Sequence, residues 1–111
     1  MELAIAGEPG VVVAWRAASD GQLAAAALGD EDIALDRLTG REVVLAWIGT
    51  VCDVHATLSI APDRLVVSPD PREGCDAMAL GRGIVLTFAM PVDPTSFIVV
   101  LERTELLPEP S

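Results

Sequence analysis

Two cysteines and one histidine are the side chains in this sequence best suited to chemistry. Cys52 and His55 share the stretch AWIGTVCDVHATLSI, and Cys75 follows Cys52 after an interval of twenty-two residues. The spacing Cys-x-x-His is typical of zinc sites, and a thiolate beside an imidazole can act as a nucleophile. An even cysteine count in a small β domain favours a disulfide instead. The residues thus leave open a disulfide, two buried reduced thiols, a metal site or a small hydrolase that uses His55 and Cys75.

Strand periodicity argues against a site that joins Cys52 to His55. In the stretch 54–60, apolar residues alternate with His55, Thr57 and Ser59, so Cys52 shares the parity of the buried row and His55 that of the wet face. A structural zinc site normally needs four ligands, and the sequence has no second histidine. We therefore expect a Cys52–Cys75 disulfide, a hydrated and inert His55, no catalytic residue, no metal site and no cofactor.

The acidic stretch GDEDIALD offers a second cluster of chemical groups. Asp30, Glu31, Asp32 and Asp36 could supply oxygens to calcium, but the stretch lacks the glycine and the terminal glutamate of an EF-hand loop. We interpret it as a solvated acidic turn.

The elements that must position these groups are strands. Apolar residues recur at spacing two, and turn residues interrupt them every eight to twelve positions. This pattern predicts an all-β fold, a single-domain antiparallel β-sandwich of about seven strands over 1–107, followed by a disordered tail at 108–111. A hairpin is expected across the turn APDR, with later strands in GIVLTFAM and FIVVLERTEL.

The segment from 11 to 40 is harder to assign. Asp20-Gly21 indicates a hairpin with a returning strand at 22–28, although Ser19 and Gln22 could instead form a capping box. A short helical turn is allowed at 31–38. The repeated motifs VVVAW and VVLAW predict two core strands that each end in a buried tryptophan, Trp15 and Trp47.

The charge of the chain limits its partners. Seventeen acidic residues face seven basic ones, which gives a net charge of −10, and all seven bases are arginine. Such a charge repels phosphate backbones and anionic lipid headgroups, and no apolar run is long enough to span a bilayer. We expect neither nucleic-acid binding nor membrane insertion, and the oligomeric state stays open. The absence of lysine and asparagine reflects a GC-rich genome.

The arrangement W-x-G-x-x-C-D followed by G-C-D-A resembles a pattern in small exported or lipoprotein-type domains of high-GC bacteria, for which no activity is established. It involves Trp47, Gly49 and the segments Cys52-Asp53 and 74–77. The resemblance implies a disulfide-stapled β-sandwich outside the cytoplasm. The start MELAIAGEPG lacks the positive region of a signal peptide. The protein is thus extracytoplasmic if the disulfide forms and a signal was removed, and otherwise cytoplasmic.

These observations favour a non-enzymatic module that binds a protein partner or an adjacent domain. We expect the contacts in loops 50–53 and 71–82, through Asp53, Arg72, Asp76 and Arg82. Alternatives are a carrier of a small apolar ligand, or the small hydrolase named above. A catalytic site needs several convergent polar groups, and the candidate side chains are few.

Overall fold

Two four-stranded sheets packed face to face form the described part of the chain. The structure is a computed structural model and describes residues 2–7, 11–25, 32–50, 53–71 and 79–102. The strands are β1 (Glu2–Gly7), β2 (Val12–Ala17), β3 (Ile33–Arg37), β4 (Glu42–Thr50), β5 (Asp53–Ala61), β6 (Arg64–Pro71), β7 (Ala79–Phe88) and β8 (Ile98–Leu101). Sheet A has the order β1-β5-β6-β8, and sheet B has the order β2-β7-β4-β3.

The antiparallel pair β4–β7 is the centre of sheet B. Its register runs without interruption from Glu42 opposite Thr87 to Thr50 opposite Ala79. Alternate residues of both strands point at sheet A, and they are buried there with residues of β5 and β6, as the two-residue period of a strand requires. The fully buried large side chains are Val43, Leu45, Trp47, Leu58, Leu65, Val67, Ile84, Val85 and Leu86. Trp47 is therefore a core residue, as its sequence predicts.

Sheet A is a hairpin extended by one parallel strand on each side. The turn at Pro62 and Asp63 joins β5 to β6 antiparallel, as the APDR motif predicts. On the outer sides, β1 lies parallel to β5 and β8 lies parallel to β6. The all-β prediction is confirmed, with eight strands in the described ranges, and two of the six pairings are parallel. Within these ranges no helix is long and apolar enough to cross a membrane.

The predicted strand at 22–28 and its hairpin across Asp20-Gly21 are wrong. The chain forms a short helix, α1 (Asp20–Ala25), and residues 26–28 lie outside the described ranges. Ser19 N–H donates to Gln22 Oε1 at 2.9 Å, and Gln22 N–H donates to Ser19 Oγ at 3.2 Å. This capping box, together with the helix propensity of alanine, outweighs the Asp-Gly turn signal. β2 pairs with β7 on one side. No described strand pairs with its other side, where a returning strand at 22–28 would have lain.

The helical turn allowed at 31–38 is also wrong, because the chain forms β3 there. Ile33 and Leu35 lie on the inward side of this strand, opposite Trp47 and Leu45 of β4. The burial of Ile33 and the partial burial of Leu35 favour the strand, and Leu38 N–H donates to Glu42 O to close the hairpin. Residue 31 lies outside the described ranges.

The two long sides of the sandwich differ. On one side β3 contacts β8 and the 3-10 turn Pro94–Ser96, which closes the core. The other side is formed by β1 and β2, which within the described residues end their respective sheets. Trp15 of β2 is 37 % exposed, so the prediction that both tryptophans are buried is wrong for this one. An edge strand has a neighbour on one side only, which leaves its inward side chains partly uncovered.

Gly7 ends β1 at a point where the backbone lies very close to the neighbouring strand β5. Its φ is +114°, and a Cβ atom there would overlap the carbonyl oxygen of Ile60 on β5. Both the backbone conformation and the close approach therefore require glycine.

We expect Gly7→Ala to destabilise the fold, with the strained φ alone costing about 1–3 kcal/mol and the overlap adding to that cost. Gly40→Ala is the matched control, because a Cβ atom at Gly40 meets nothing within 4 Å. Denaturant unfolding of both variants measures the difference. Equal stabilities would contradict this account of Gly7.

Candidate functional site

The open side of the sandwich carries an apolar surface, which we call the margin and define as Ile5, Val13, Trp15 and Ala17. Ile5 pairs with the buried Leu58, and Trp15 pairs with the buried Leu86, so both side chains belong to rows that face the interior. Nevertheless Ile5 is 42 % exposed, and Val13 is 59 % exposed. A β-bulge between Val12 and Ala14 shifts the register at Val13. The margin thus consists of apolar side chains of the kind that form the core, and they are left partly in contact with solvent.

The backbone of β2 adds hydrogen-bonding capacity to the margin. Ala18 N–H donates to Gly83 O on β7 at 3.0 Å. Because bonded and non-bonded pairs alternate in an antiparallel ladder, Ala14 and Arg16 also bond to β7. The N–H and C=O groups of Trp15 and Ala17 then point away from β7, toward the free edge.

A polar cluster lies on the outer face of sheet B, behind the margin. Arg16 Nη1 lies 2.8 Å from Glu42 Oε2, and Thr39 and Thr87 each donate a hydroxyl hydrogen bond to the Glu42 carboxylate at 3.4 Å. The hydrogen bond and the charge of Arg16 lower the pKa of Glu42 below its usual 4.5. The cluster links β2, β4 and β7, and the Glu42 carboxylate neutralises Arg16. We therefore interpret it as a structural ion pair.

His55 lies on the outer face of sheet A, as its parity in β5 predicts. The side chains that alternate with it at Ala56, Leu58 and Ile60 are buried, whereas His55 is exposed. Its Nδ1 atom lies 3.2 Å from Glu2 Oε2 on β1, and this contact is an ion pair only when the imidazole is protonated. A β-bulge between Asp53 and His55 interrupts the alternation, so the parity argument does not extend back to Cys52.

The strand ends that flank both cysteine-bearing connections meet at one end of the sandwich. Thr50 pairs with Ala79 in sheet B, and Asp53 pairs with Pro71 in sheet A. We call the end of the sandwich at which these four strand ends lie the connection end. Cys52, Cys75, Arg72 and Asp76 lie outside the described residues. The disulfide stays a prediction.

Of the four candidate binding residues predicted from sequence, Arg82 is the one whose side-chain contacts are described. Its Nε and Nη2 atoms both donate to Thr50 O, at 3.3 and 3.0 Å, across the β4–β7 pair. The guanidinium thus fixes the end of β4 to the beginning of β7. Asp53 is described as the first residue of β5.

The acidic stretch does not form a cluster within the described ranges. Asp32 and Asp36 are exposed near opposite ends of β3, and Asp30 and Glu31 fall outside these ranges. No three described histidine, cysteine or acidic side chains converge on a point that could hold a metal ion.

An open groove of about 600 Å³ separates α1 from the end of β3. It is lined by Ser19, Gly21, Gln22, Asp36, Arg37, Leu38 and Val44. Ser19 and Gln22 are engaged in the capping box, and Arg37 Nη2 donates to Val92 O at 3.5 Å. Among the described lining residues, the groove therefore offers one carboxylate, that of Asp36, beside the apolar side chains of Leu38 and Val44.

Comparison with protein-family models, with curated proteins and with solved structures finds no match to this chain. The resemblance to exported domains stays a prediction. Sequence reasoning missed the margin, although a signal was present. Solvent-exposed edge strands normally carry several charged residues or a proline, which prevent pairing with another chain. The stretch VVVAWRA has one charged residue and no proline.

We expect Glu42→Gln to weaken the loss of stability in acid. A carboxyl whose folded pKa lies below 4.5 stabilises the folded state fully above that pH, and the contribution is lost as the pH falls through the lowered pKa. Unfolding free energies between about pH 6 and about pH 3 should therefore fall less in the variant than in the parent. Arg16→Gln should have the same effect, because it removes the main cause of the shift. An identical acid response in all three proteins would contradict this assignment.

We also predict that Cys52 and Cys75 are oxidised in the purified protein. Denatured protein should then contain close to zero titratable thiols without reductant. Reduction should lower the unfolding free energy by about 3–4 kcal/mol, since the bridge closes an interval of twenty-two residues. The double variant Cys52→Ser/Cys75→Ser should match the reduced parent. Two reactive thiols would overturn the prediction.

Proposed function

We propose that this protein is a non-enzymatic binding module that takes up an extended, basic segment of a partner protein along the free edge of β2. The observation that carries the proposal is Trp15, an indole on an interior-facing row that is 37 % exposed. A side chain of this kind supplies a large apolar contact with little loss of conformational freedom, and tryptophan is enriched at the centre of interfaces.

The edge of β2 is suited to strand addition. The backbone groups of Trp15 and Ala17 point outward, and an incoming strand could pair with them while its alternate side chains cover Ile5 and Trp15. Edge strands are usually protected against such pairing by lysine, proline or inward-pointing charges. The one charge on β2, Arg16, lies on the outer face and is paired with Glu42.

Charge determines the kind of partner. The first twenty residues contain Glu2, Glu8 and Asp20 against Arg16 alone, and Arg16 is already neutralised. Outside the Arg16–Glu42 pair, the described acidic residue on β1 and β2 is Glu2, and the chain as a whole has a net charge of −10 and hence a negative overall field. This field attracts a lysine- or arginine-bearing segment and disfavours a second copy of the chain.

The loops predicted from sequence extend the same surface. β2 ends at Ala17, which lies opposite Ile84, so the free edge leads toward the connection end. The predicted loops 50–53 and 71–82 lie at that end, although Thr50, Asp53, Pro71 and residues 79–82 belong to strands. A partner strand that continued past Ala17 would approach them, and Asp53, Arg72, Asp76 and Arg82 are the residues proposed for that contact.

The test uses two short synthetic peptides, one alternating valine with lysine and one alternating valine with glutamate. We expect saturable binding of the valine–lysine peptide near physiological ionic strength, measured by calorimetry, and no binding of the acidic peptide. Trp15→Lys and Val13→Lys should each weaken binding by at least about tenfold. Ile98→Lys is the matched control, since Ile98 is 56 % exposed on β8, the far edge of sheet A, and should leave binding unchanged.

Three results would overturn the proposal. They are the absence of binding to the basic peptide, equal binding of both peptides, and equal weakening by Ile98→Lys. A parent protein that is dimeric by sedimentation, and that Trp15→Lys makes monomeric, would assign the margin to a second copy and would also reject the basic partner.

A further inference from the structure

A second apolar site lies at the opposite end of the sandwich from the connection end, beside the last residue of β7. This end pocket has a volume of about 280 Å³. In the described part of the chain, its lining side chains are apolar: Val11, Phe88, Ala89, Met90, Pro91, Val92 and Phe97. Phe88 is buried, whereas Met90 is 73 % exposed, so the pocket extends from the core to a rim that faces solvent.

The backbone around the end pocket is held in place by hydrogen bonds. Phe88 N–H donates to Arg41 O at 2.8 Å, Ala89 N–H donates to Val11 O at 3.0 Å, and Val92 N–H donates to Gly40 O at 3.0 Å. These bonds fix the segment 88–92 to two other parts of sheet B. They also satisfy three N–H groups near the pocket, so a ligand does not have to accept hydrogen bonds from these groups.

The 3-10 turn Pro94–Ser96 positions the second aromatic wall. The Asp93 carboxylate caps this turn, accepting hydrogen bonds from Thr95 N at 3.0 Å and from Thr95 Oγ1 at 2.7 Å. The turn is followed by Phe97, whose ring centroid lies 5.9 Å from that of Phe88 at an interplanar angle of 34°. The pocket thus has a preformed aromatic side.

We propose that the end pocket binds a small, neutral, apolar molecule of one or two rings. The described lining residues have no charged or hydrogen-bonding side chain, so they offer nothing to compensate the desolvation of a charged ligand. An enclosed apolar cavity of about 150 Å³ is enough for benzene in another protein, so this volume can admit a somewhat larger molecule. The exposed thioether of Met90 can adapt to the shape of the occupant.

This site is independent of strand addition at the margin, and its test uses different probes. Methionine methyl groups are labelled with carbon-13, and the Met90 signal is assigned with Met90→Leu. Titration with p-xylene should shift that signal saturably. p-Toluate, which keeps the ring and one methyl group but carries a carboxylate, should bind at least about tenfold more weakly.

Two variants separate the pocket from other apolar surfaces. Ala89→Leu adds volume at the pocket wall from an exposed position, and it should weaken p-xylene binding by at least about tenfold without unfolding the protein. Trp15→Lys alters the margin and should leave p-xylene binding unchanged. The proposal is overturned if the Met90 signal does not saturate, if folded Ala89→Leu binds like the parent, or if p-toluate binds as tightly as p-xylene. Loss of binding in Trp15→Lys would also overturn it, by assigning the probe to the margin.

Discussion

Burial of the inward rows of β4 and β7 against sheet A is the constraint on which the rest of the structure depends. The two strands pair over nine positions and place Leu45, Trp47, Ile84 and Leu86 in one layer, fully removed from water. Apolar burial of this kind is the largest favourable contribution to folding. Trp47 Nε1 has no acceptor among the described groups, a cost that the burial of the large indole must exceed.

That central pair also determines which parts of the sandwich are closed. β3 extends it on one side, and there the contact with β8 and the turn Pro94–Ser96 completes the core. β2 extends it on the other side, where β1 and β2 both end their sheets and Ile5 and Trp15 stay partly exposed. Within the described residues, β2 therefore combines inward-facing apolar side chains with backbone groups that point away from β7, and this is the surface proposed for binding.

The polar side chains of the described residues mainly make contacts that stabilise the fold. The Arg16–Glu42 pair fastens the outer face of sheet B, Arg82 fastens the end of β4, and Asp93 caps the turn beside the end pocket. His55 meets Glu2 on an exposed strand face. The two surfaces proposed for binding are apolar, and they lie at the margin and at the end of the sandwich. The proposed recognition therefore depends on apolar contact area, and the partner proposed for the margin is chosen on the negative charge of the chain.

The sequence by itself determined the strand pattern, because alternation of buried and exposed residues is a local property that can be read from spacing. The core position of Trp47, the β5–β6 hairpin and the exposed face of His55 all follow from it. It did not determine the choice between helix and strand at α1 and β3. Propensities there were nearly balanced, and the capping box and the burial of Ile33 beside Trp47 decided between them. Tertiary structure alone decided which strands are edges. VVVAW and VVLAW are almost the same sequence, yet Trp47 is covered by sheet A while Trp15 stays partly exposed, since burial depends on which neighbours the topology supplies.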